Sequence, residues 1–191
     1  SRHLDFRILH RFGNLYNTAL PNPLNQSAQN LFGLNQVSDV RFSLDYGITS
    51  HLSVGLGHSS YNKLVDANLK WRILQQYNTR SRPLTMVLFL SAGYSHKPTA
   101  SLYAGVYKNF ETREAHRFNY VSQLLIARKV NKSVSLQLMP TLYHQNLVTA
   151  ADEPNDLYVL GMGGSFRINR STRFNVEYYP ILNRYKANNT T

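Results

Sequence analysis

The sequence predicts an all-β protein, an up-and-down antiparallel transmembrane β-barrel, on three observations. Apolar and polar residues alternate along several segments. Each of these segments is roughly 9–12 residues long, whereas soluble strands average roughly 5–6 and a tilted membrane strand needs roughly 9–11. Only 16% of the 191 residues are charged, although the net charge is +11. This scarcity of charge is expected when one side of every strand faces lipid.

The alternation is clearest in the first half of the chain. The clearest case runs from residue 37 to 48, in which apolar and aromatic residues occupy the even positions from 40 onward, whereas Asp, Arg, Ser and Gly occupy the odd ones from 39. Segments 52–57 and 65–73 follow the same rule, which predicts one apolar and one polar face. The remaining predicted strands, bounded by turn residues or charge, are 4–12, 84–95, 118–129, 134–144, 157–168 and 173–184. Both faces of 84–95 and 118–129 carry apolar residues, so their alternation is weaker.

Whether each face of the sheet meets water, lipid or a protein core decides the fold class. A soluble sandwich buries its apolar face, whereas a membrane barrel exposes that face to lipid and lines its lumen with the polar one. We expect opposite charges on neighbouring strands to pair as a lumen ladder, with glycines at 55, 57, 161 and 163 between them. The ladder consists of Asp5, Arg7, Asp39, Arg41, Asp45, Asp66, Lys70, Arg72 and Glu177. Aromatic residues suited to interfacial girdles are Phe12, Tyr46, Tyr77, Tyr94, Tyr120, Tyr143, Tyr158 and Tyr185; in a soluble all-β protein they would reflect β-propensity alone.

The connections predict a barrel with two unlike ends. Three of them, 48–54, 130–136 and 168–174, consist of an apolar residue, a short polar stretch and a new alternating strand, which predicts tight hairpins. Longer connections are expected at 13–36, 58–64, 95–117 and 145–156. With this numbering every short turn lies at one end and every long loop at the other. Outer-membrane barrels show this asymmetry, with the short turns on the periplasmic side.

Basic residues gather at the short-turn end, where the turns carry no acidic residue. This predicted periplasmic cationic rim consists of Arg80, Arg82, Arg128, Lys129, Lys132, Arg170 and Arg173. Such a ring could bind anionic lipid headgroups or an acidic envelope protein, or remain a solvated rim. Nucleic acid is not expected as a partner, because the basic residues do not form a stripe interleaved with aromatic residues.

Nine strands predict an incomplete barrel, since single-chain bacterial barrels have an even number. An open sheet would expose unpaired backbone groups to lipid. We therefore expect residues 1–191 to form one barrel domain that lacks its C-terminal strands, with about nine of twelve strands present, or a wall completed by another chain.

The segments His10–Gly13, Phe32–Leu34, Val40–Phe42, Asp45–Thr49 and Leu69–Lys70 resemble those of a Bacteroidota outer-membrane β-barrel family catalogued as a domain of unknown function. Gln123–Lys129 and Glu177–Pro180 are also similar, so the resemblance covers most of the chain. It implies a bacterial outer-membrane location and a barrel architecture, and brings no catalytic residues. Family members continue with a Gly-Gly-His segment and an aromatic terminus, which this chain lacks; that difference agrees with missing strands.

No catalytic residue, metal site or cofactor is predicted. The weak candidates for metal ligands are His10, His58 and His144, and they lack the spacing of a designed site. A hydrolase would need Ser59 or Ser60 beside His58, or His144 beside Asn146, but neighbouring strand residues face opposite sides. The sequence thus favours a non-enzymatic barrel with a structural or complex-subunit role and a lumen filled by side chains. The alternatives are a narrow, porin-like pore, a barrel that binds a small solute, and a soluble ligand-binding barrel.

Overall fold

A computed structural model describes residues 2–13, 22–31, 37–77, 82–98, 113–148 and 153–183. Within these ranges nine strands form one antiparallel sheet, in which each strand pairs with its neighbours in sequence. The strands are β1 (Leu4–Phe12), β2 (Val37–Gly47), β3 (Leu52–Ser59), β4 (Leu64–Leu74), β5 (Thr85–Ser95), β6 (Phe118–Lys129), β7 (Val134–Gln145), β8 (Asp156–Arg167) and β9 (Arg173–Tyr178). The all-β, up-and-down prediction is confirmed. In the described part of the chain β1 and β9 are the edges, and the sheet is not closed.

The last strand is shorter than the sequence predicts. Regular pairing with β8 ends at Tyr178, shortly before Pro180, which has no N–H to donate to the ladder. Contact then resumes through a bridge between Val159 and Ile181 and a 2.7 Å hydrogen bond from the Leu182 N–H to the Tyr158 carbonyl. The chain thus follows β8 as far as Leu182, but with an irregularity at the proline.

Three short turns share one hydrogen-bonding design. In the β6–β7 turn the Val130 N–H donates to the Val134 carbonyl at 3.0 Å, and Asn131 Oδ1 accepts from the Ser133 and Val134 amides, both at 2.8 Å. Thr49 Oγ1 accepts two amides in the same way between β2 and β3, as does Asn169 Oδ1 between β8 and β9. A side-chain oxygen one residue after the apolar residue therefore closes each turn.

The predicted long connection between β3 and β4 is wrong. Only residues 60–63 separate these strands, as a 3₁₀ turn that contains Asn62 and Lys63 at positive φ, +62° and +45°. Asparagine tolerates this conformation, so a tight turn forms without glycine. The end opposite the three short turns, called here the long-loop end, thus holds one short connection besides three long ones.

Helix is scarce in the described part of the chain. The sequence did not predict α1 (Pro23–Gln29), which has proline in its first turn and lies in the β1–β2 connection. A second 3₁₀ turn, Glu114–Arg117, precedes β6. No helix among the described residues has the length and apolar composition needed to cross a membrane. Residues 99–112 of the predicted long connection 95–117 lie outside the described residues.

Candidate functional site

The two faces of the sheet have an inverted polarity. One face, called the inner face, buries polar side chains: Asp66 is 5% exposed, Asn68 9% and Ser43 9%. The opposite, outer face exposes large apolar ones, including Phe6 and Leu56, each 61% exposed. A soluble domain buries apolar groups, whereas a strand in a membrane barrel presents its apolar face to lipid. The inversion matches the second arrangement.

Two ion pairs cross the inner face from β2 to β4. Arg41 Nη2 donates to Asp66 Oδ2 at 2.7 Å, and Lys70 Nζ donates to Asp45 Oδ1 at 2.8 Å. The side chains of Asp66 and Asp45 are 6% and 14% exposed, so both carboxylates are largely removed from solvent. The prediction that charges pair between neighbouring strands is wrong here, because both pairs span the intervening strand β3.

Glycines on β3 make this crossing possible. Gly57 is paired with Ser43 on β2 and Asp66 on β4, directly beneath the first ion pair. A Cβ atom at Gly57 would collide with the Arg41 guanidinium and lie 2.9 Å from Asp66 Oδ1. A Cβ atom at Gly55 would likewise collide with Asp45, under the second pair. Because β3 has no side chain at residues 55 and 57, long side chains from β2 and β4 can meet above its backbone.

The other predicted ladder residues have separate partners. Asp5 and Arg7 pair with each other along exposed β1, where Arg7 Nε donates to Asp5 Oδ2 at 2.7 Å. Asp39 is buried and accepts the Ser59 hydroxyl at 2.7 Å and the Tyr61 amide at 2.9 Å.

Two ladder residues lie at the margins of the network. The Arg72 side chain donates to the Ser50 carbonyl in the β2–β3 turn. On β9, Glu177 accepts from the Tyr179 hydroxyl at 3.4 Å. The ladder therefore has its centre on β2–β4, and Arg72 ties it to the short-turn end.

The inner face differs between the two halves of the sheet. On β1–β4 it carries the ion pairs just described, and this region is called the charged wall. On β5–β8 the corresponding positions are mainly uncharged, and this apolar wall is represented by Val87, Phe89, Val121, Leu125, Met139 and Val159. Its polar contacts are neutral, for example Gln123 Nε2 donating to Thr141 Oγ1 at 2.7 Å.

A polar cavity of about 130 Å³ lies on the inner face where β5, β6 and β7 reach the long-loop end. Its lining includes Lys97, Asn119 and Gln145 together with the Tyr143 side chain. Tyr143 therefore points to the inner face and not to an aromatic girdle, as its alternation partners Thr141 and Gln145 also show. The cavity has room for a few water molecules or a very small solute.

An aromatic row follows the outer face at the long-loop end. The Tyr94 and Phe118 ring centroids are 5.1 Å apart, Phe118 and Tyr120 are 6.4 Å apart, and Tyr120 and His144 are 6.1 Å apart. The rings come from three adjacent strands, β5, β6 and β7. Amphipathic rings at one level of an apolar surface are typical of a membrane interface. Tyr185, also predicted for a girdle, lies outside the described residues.

The predicted cationic rim lies on exposed residues at the short-turn end. Arg82, Arg128, Lys129, Lys132, Arg170 and Arg173 are all exposed, and Arg80 lies outside the described residues. Sequence reasoning missed Arg167, which is the cross-strand partner of Arg173. Arg167 directly precedes the β8–β9 turn, just as Lys129 precedes the β6–β7 turn, so the sequence alone could have identified it.

The histidine candidates lie apart from one another. His10 packs edge-on against Phe12 on the outer face of β1, with centroids 4.9 Å apart, and His58 is exposed on β3. His144 Nδ1 lies 2.7 Å from Asp156 Oδ1, and its Nε2 lies 3.0 Å from Asn146 Oδ1. Among the described residues, no group of three or more His, Asp or Glu side chains is placed to hold a metal ion.

The hydrolase candidates are not assembled at His58. Its neighbour Ser59 lies on the inner face and donates to Asp39, whereas His58 lies on the outer face. His144 does contact Asn146, as considered from the sequence, but within the described residues the structure gives it no hydroxyl partner.

Comparison with known proteins identifies the architecture. No curated protein and no solved structure matches the chain. A family model described as "Membrane bound beta barrel domain (DUF5777)" matches residues 1–191. This agrees with the inverted polarity of the two faces and with the up-and-down sheet. The chain belongs to this family of membrane-bound β-barrel domains.

Proposed function

We propose that this chain is a non-enzymatic outer-membrane β-barrel protein with a structural role or a role as a subunit of an envelope complex, and that its lumen is largely filled by its own side chains. The observation that carries this proposal is the pair of salt bridges, Arg41–Asp66 and Lys70–Asp45, that cross the inner face.

The paired side chains occupy space that a channel would need. Each salt bridge spans the width of β3, and its charges neutralise each other instead of facing water. The apolar wall adds bulky side chains such as Phe89 and Met139 on the same face. A barrel of about twelve strands is narrower than the porins of roughly 16–18 strands that hold an aqueous channel, so these groups leave little free channel.

The outer membrane is the location that the turn geometry favours. Three turns at one end are closed within four or five residues, whereas residues 13–36 and 96–117 connect strands at the other. Long strands, short turns at one end and long loops at the other are typical of bacterial outer-membrane barrels. In an outer-membrane location, the short turns face the periplasm.

A narrow pore or a barrel that binds a small solute is the second candidate. Asn68 Oδ1 is buried on the inner face without a hydrogen-bond partner among the described residues. Buried polar atoms are normally satisfied, so a water molecule inside the barrel is its natural partner. The 130 Å³ cavity near Tyr143 supplies a second polar space on this face.

Single-channel recording in planar bilayers distinguishes the candidates. We expect the unaltered protein to show no steady openings, and the double variant Arg41→Ala/Asp66→Ala to conduct, because it removes the side chains that cross β3. The matched control Phe42→Ala/Val65→Ala truncates the adjacent outer-face residues on the same two strands and should stay silent. Steady openings of the unaltered protein would establish the pore and overturn the filled lumen.

A further inference from the structure

Two neighbouring hairpins at the short-turn end form a dense cationic surface. The β6–β7 and β8–β9 hairpins lie side by side, because the Arg167 N–H donates to the Ser133 carbonyl at 2.7 Å. Neither residues 128–134 nor residues 167–173 include an acidic side chain. The surface, called here the two-hairpin cluster, consists of Arg128, Lys129, Lys132, Arg167, Arg170 and Arg173.

Like charges face each other directly within this cluster. Arg167 and Arg173 are the terminal cross-strand pair of β8 and β9, and Arg170 lies in the turn between them. All three are exposed, and none forms a salt bridge with a described residue; Arg173 Nη1 donates to Ser165 Oγ at 3.2 Å. Like charges directly opposite destabilise a strand pair, so a bound anion would relieve the repulsion.

At the edge of the apolar outer face the cluster presents Arg128 and the turn residues, whereas Lys129, Arg167 and Arg173 have the register of the inner face. Val130 and Ile168 begin the two turns and are 50% and 70% exposed, on the side that the alternation assigns to lipid. Arg128 has the same orientation, and its cross-strand partner is the exposed Leu136. Lys132 and Arg170 follow these two aliphatic residues in the turns. Long basic side chains next to an apolar belt reach the level of the lipid headgroups.

We propose that the two-hairpin cluster binds the phosphate groups of anionic lipids in the membrane leaflet at the short-turn end. This inference rests on membership of a membrane-bound family and on the charge pattern, and is independent of whether the lumen is filled. The long-loop end is different, because Arg117 pairs there with Glu114 and Lys97 lies 5.6 Å from the Tyr61 ring centroid. Arg117 thus has an acidic partner at that end, and Lys97 has an aromatic one.

Lipid retention by the purified protein tests the proposal. The protein is reconstituted in bilayers of phosphatidylcholine mixed with phosphatidylglycerol and released into detergent, and the retained lipid is counted by native mass spectrometry. Arg128→Gln/Arg170→Gln is compared with Lys63→Gln/Lys97→Gln, which removes the same charge at the long-loop end. We expect the first variant to retain phosphatidylglycerol at least about fivefold less, since one basic residue near an anionic surface contributes on the order of that factor.

Retention by the unaltered protein should also fall as ionic strength rises. Circular dichroism in micelles verifies that each variant is folded; if the double variant is not, each single substitution is measured. Equal retention by the two variants, or an equal loss in both, would overturn the proposal. Unchanged lipid retention together with the capture of an acidic envelope protein would assign the cluster to a protein partner instead.

Discussion

The charged wall and the apolar wall belong to one sheet but are stabilised differently. On β2–β4, opposite charges meet above glycines. In the Arg41–Asp66 pair, each charged group takes the place of the water that would otherwise solvate the other. On β5–β8, the same face is filled by Phe89, Leu125 and other apolar side chains, with neutral hydrogen bonds between them. The comparison shows that strand pairing does not determine which side chains fill the inner face. That content depends on which positions carry small residues and which carry complementary charges.

Removal of one charge from the charged wall should have the largest effect. Asp66→Ala leaves Arg41 without its partner on a face where it is only 25% exposed, so we expect a loss of about 3 kcal/mol in the free energy of unfolding. Gln123→Ala in the apolar wall breaks a neutral hydrogen bond and should lose only about 1 kcal/mol. Denaturant unfolding in detergent micelles measures both. Equal losses would mean that the two walls do not differ in this respect.

An added methyl group should distinguish Gly57 in the charged wall from Gly163 in the apolar wall. Gly57→Ala places a Cβ against the Arg41 guanidinium, and we expect it to cost about 2 kcal/mol because the ion pair must shift. Gly163→Ala on β8 meets nothing closer than Met139 Cε at 3.6 Å, so its unfolding midpoint should change little. If both alanines are tolerated alike, the glycines of β3 are not needed for the ion pairs between β2 and β4.

Substitution of a capping residue in one of the three short turns, which occur in both walls, should give the smallest effect. Asn169→Ala removes the oxygen that accepts the Ser171 and Thr172 amides, and we expect a loss of about 1 kcal/mol or less, since water can satisfy these exposed groups. Asn169→Asp keeps an acceptor oxygen and should restore most of the stability. A variant that cannot fold at all would contradict the view that the turn is only locally stabilised.

Most of the fold was predictable because side-chain alternation is a local signal. Apart from β9, the predicted strand bounds lie within two residues of the observed ones, since each strand has an apolar face to mark it. The β3–β4 turn could not be predicted, because it depends on Asn62 and Lys63 adopting positive φ. The seven-residue helix Pro23–Gln29 is too short to show helical periodicity.

The site was predictable residue by residue but not as a set of contacts. The parity of Arg41, Asp45, Asp66 and Lys70 places them on one face, as expected from the sequence. Their pairing across two strand spacings depends on the register of β2, β3 and β4 and on the space above Gly57. Neither is a property of a single strand. Arg167, in contrast, was predictable from the sequence, since it directly precedes the β8–β9 turn as Lys129 precedes the β6–β7 turn.

The shared design of the three capped turns has a consequence for how the protein is made. Each of these hairpins contains its own turn signal, and every described strand pairs with its neighbours in sequence, so these three strand pairs form without a distant segment. Short loops close at a low entropic cost and fast. The chain can therefore assemble as a series of hairpins, each of which offers the next strand a finished edge.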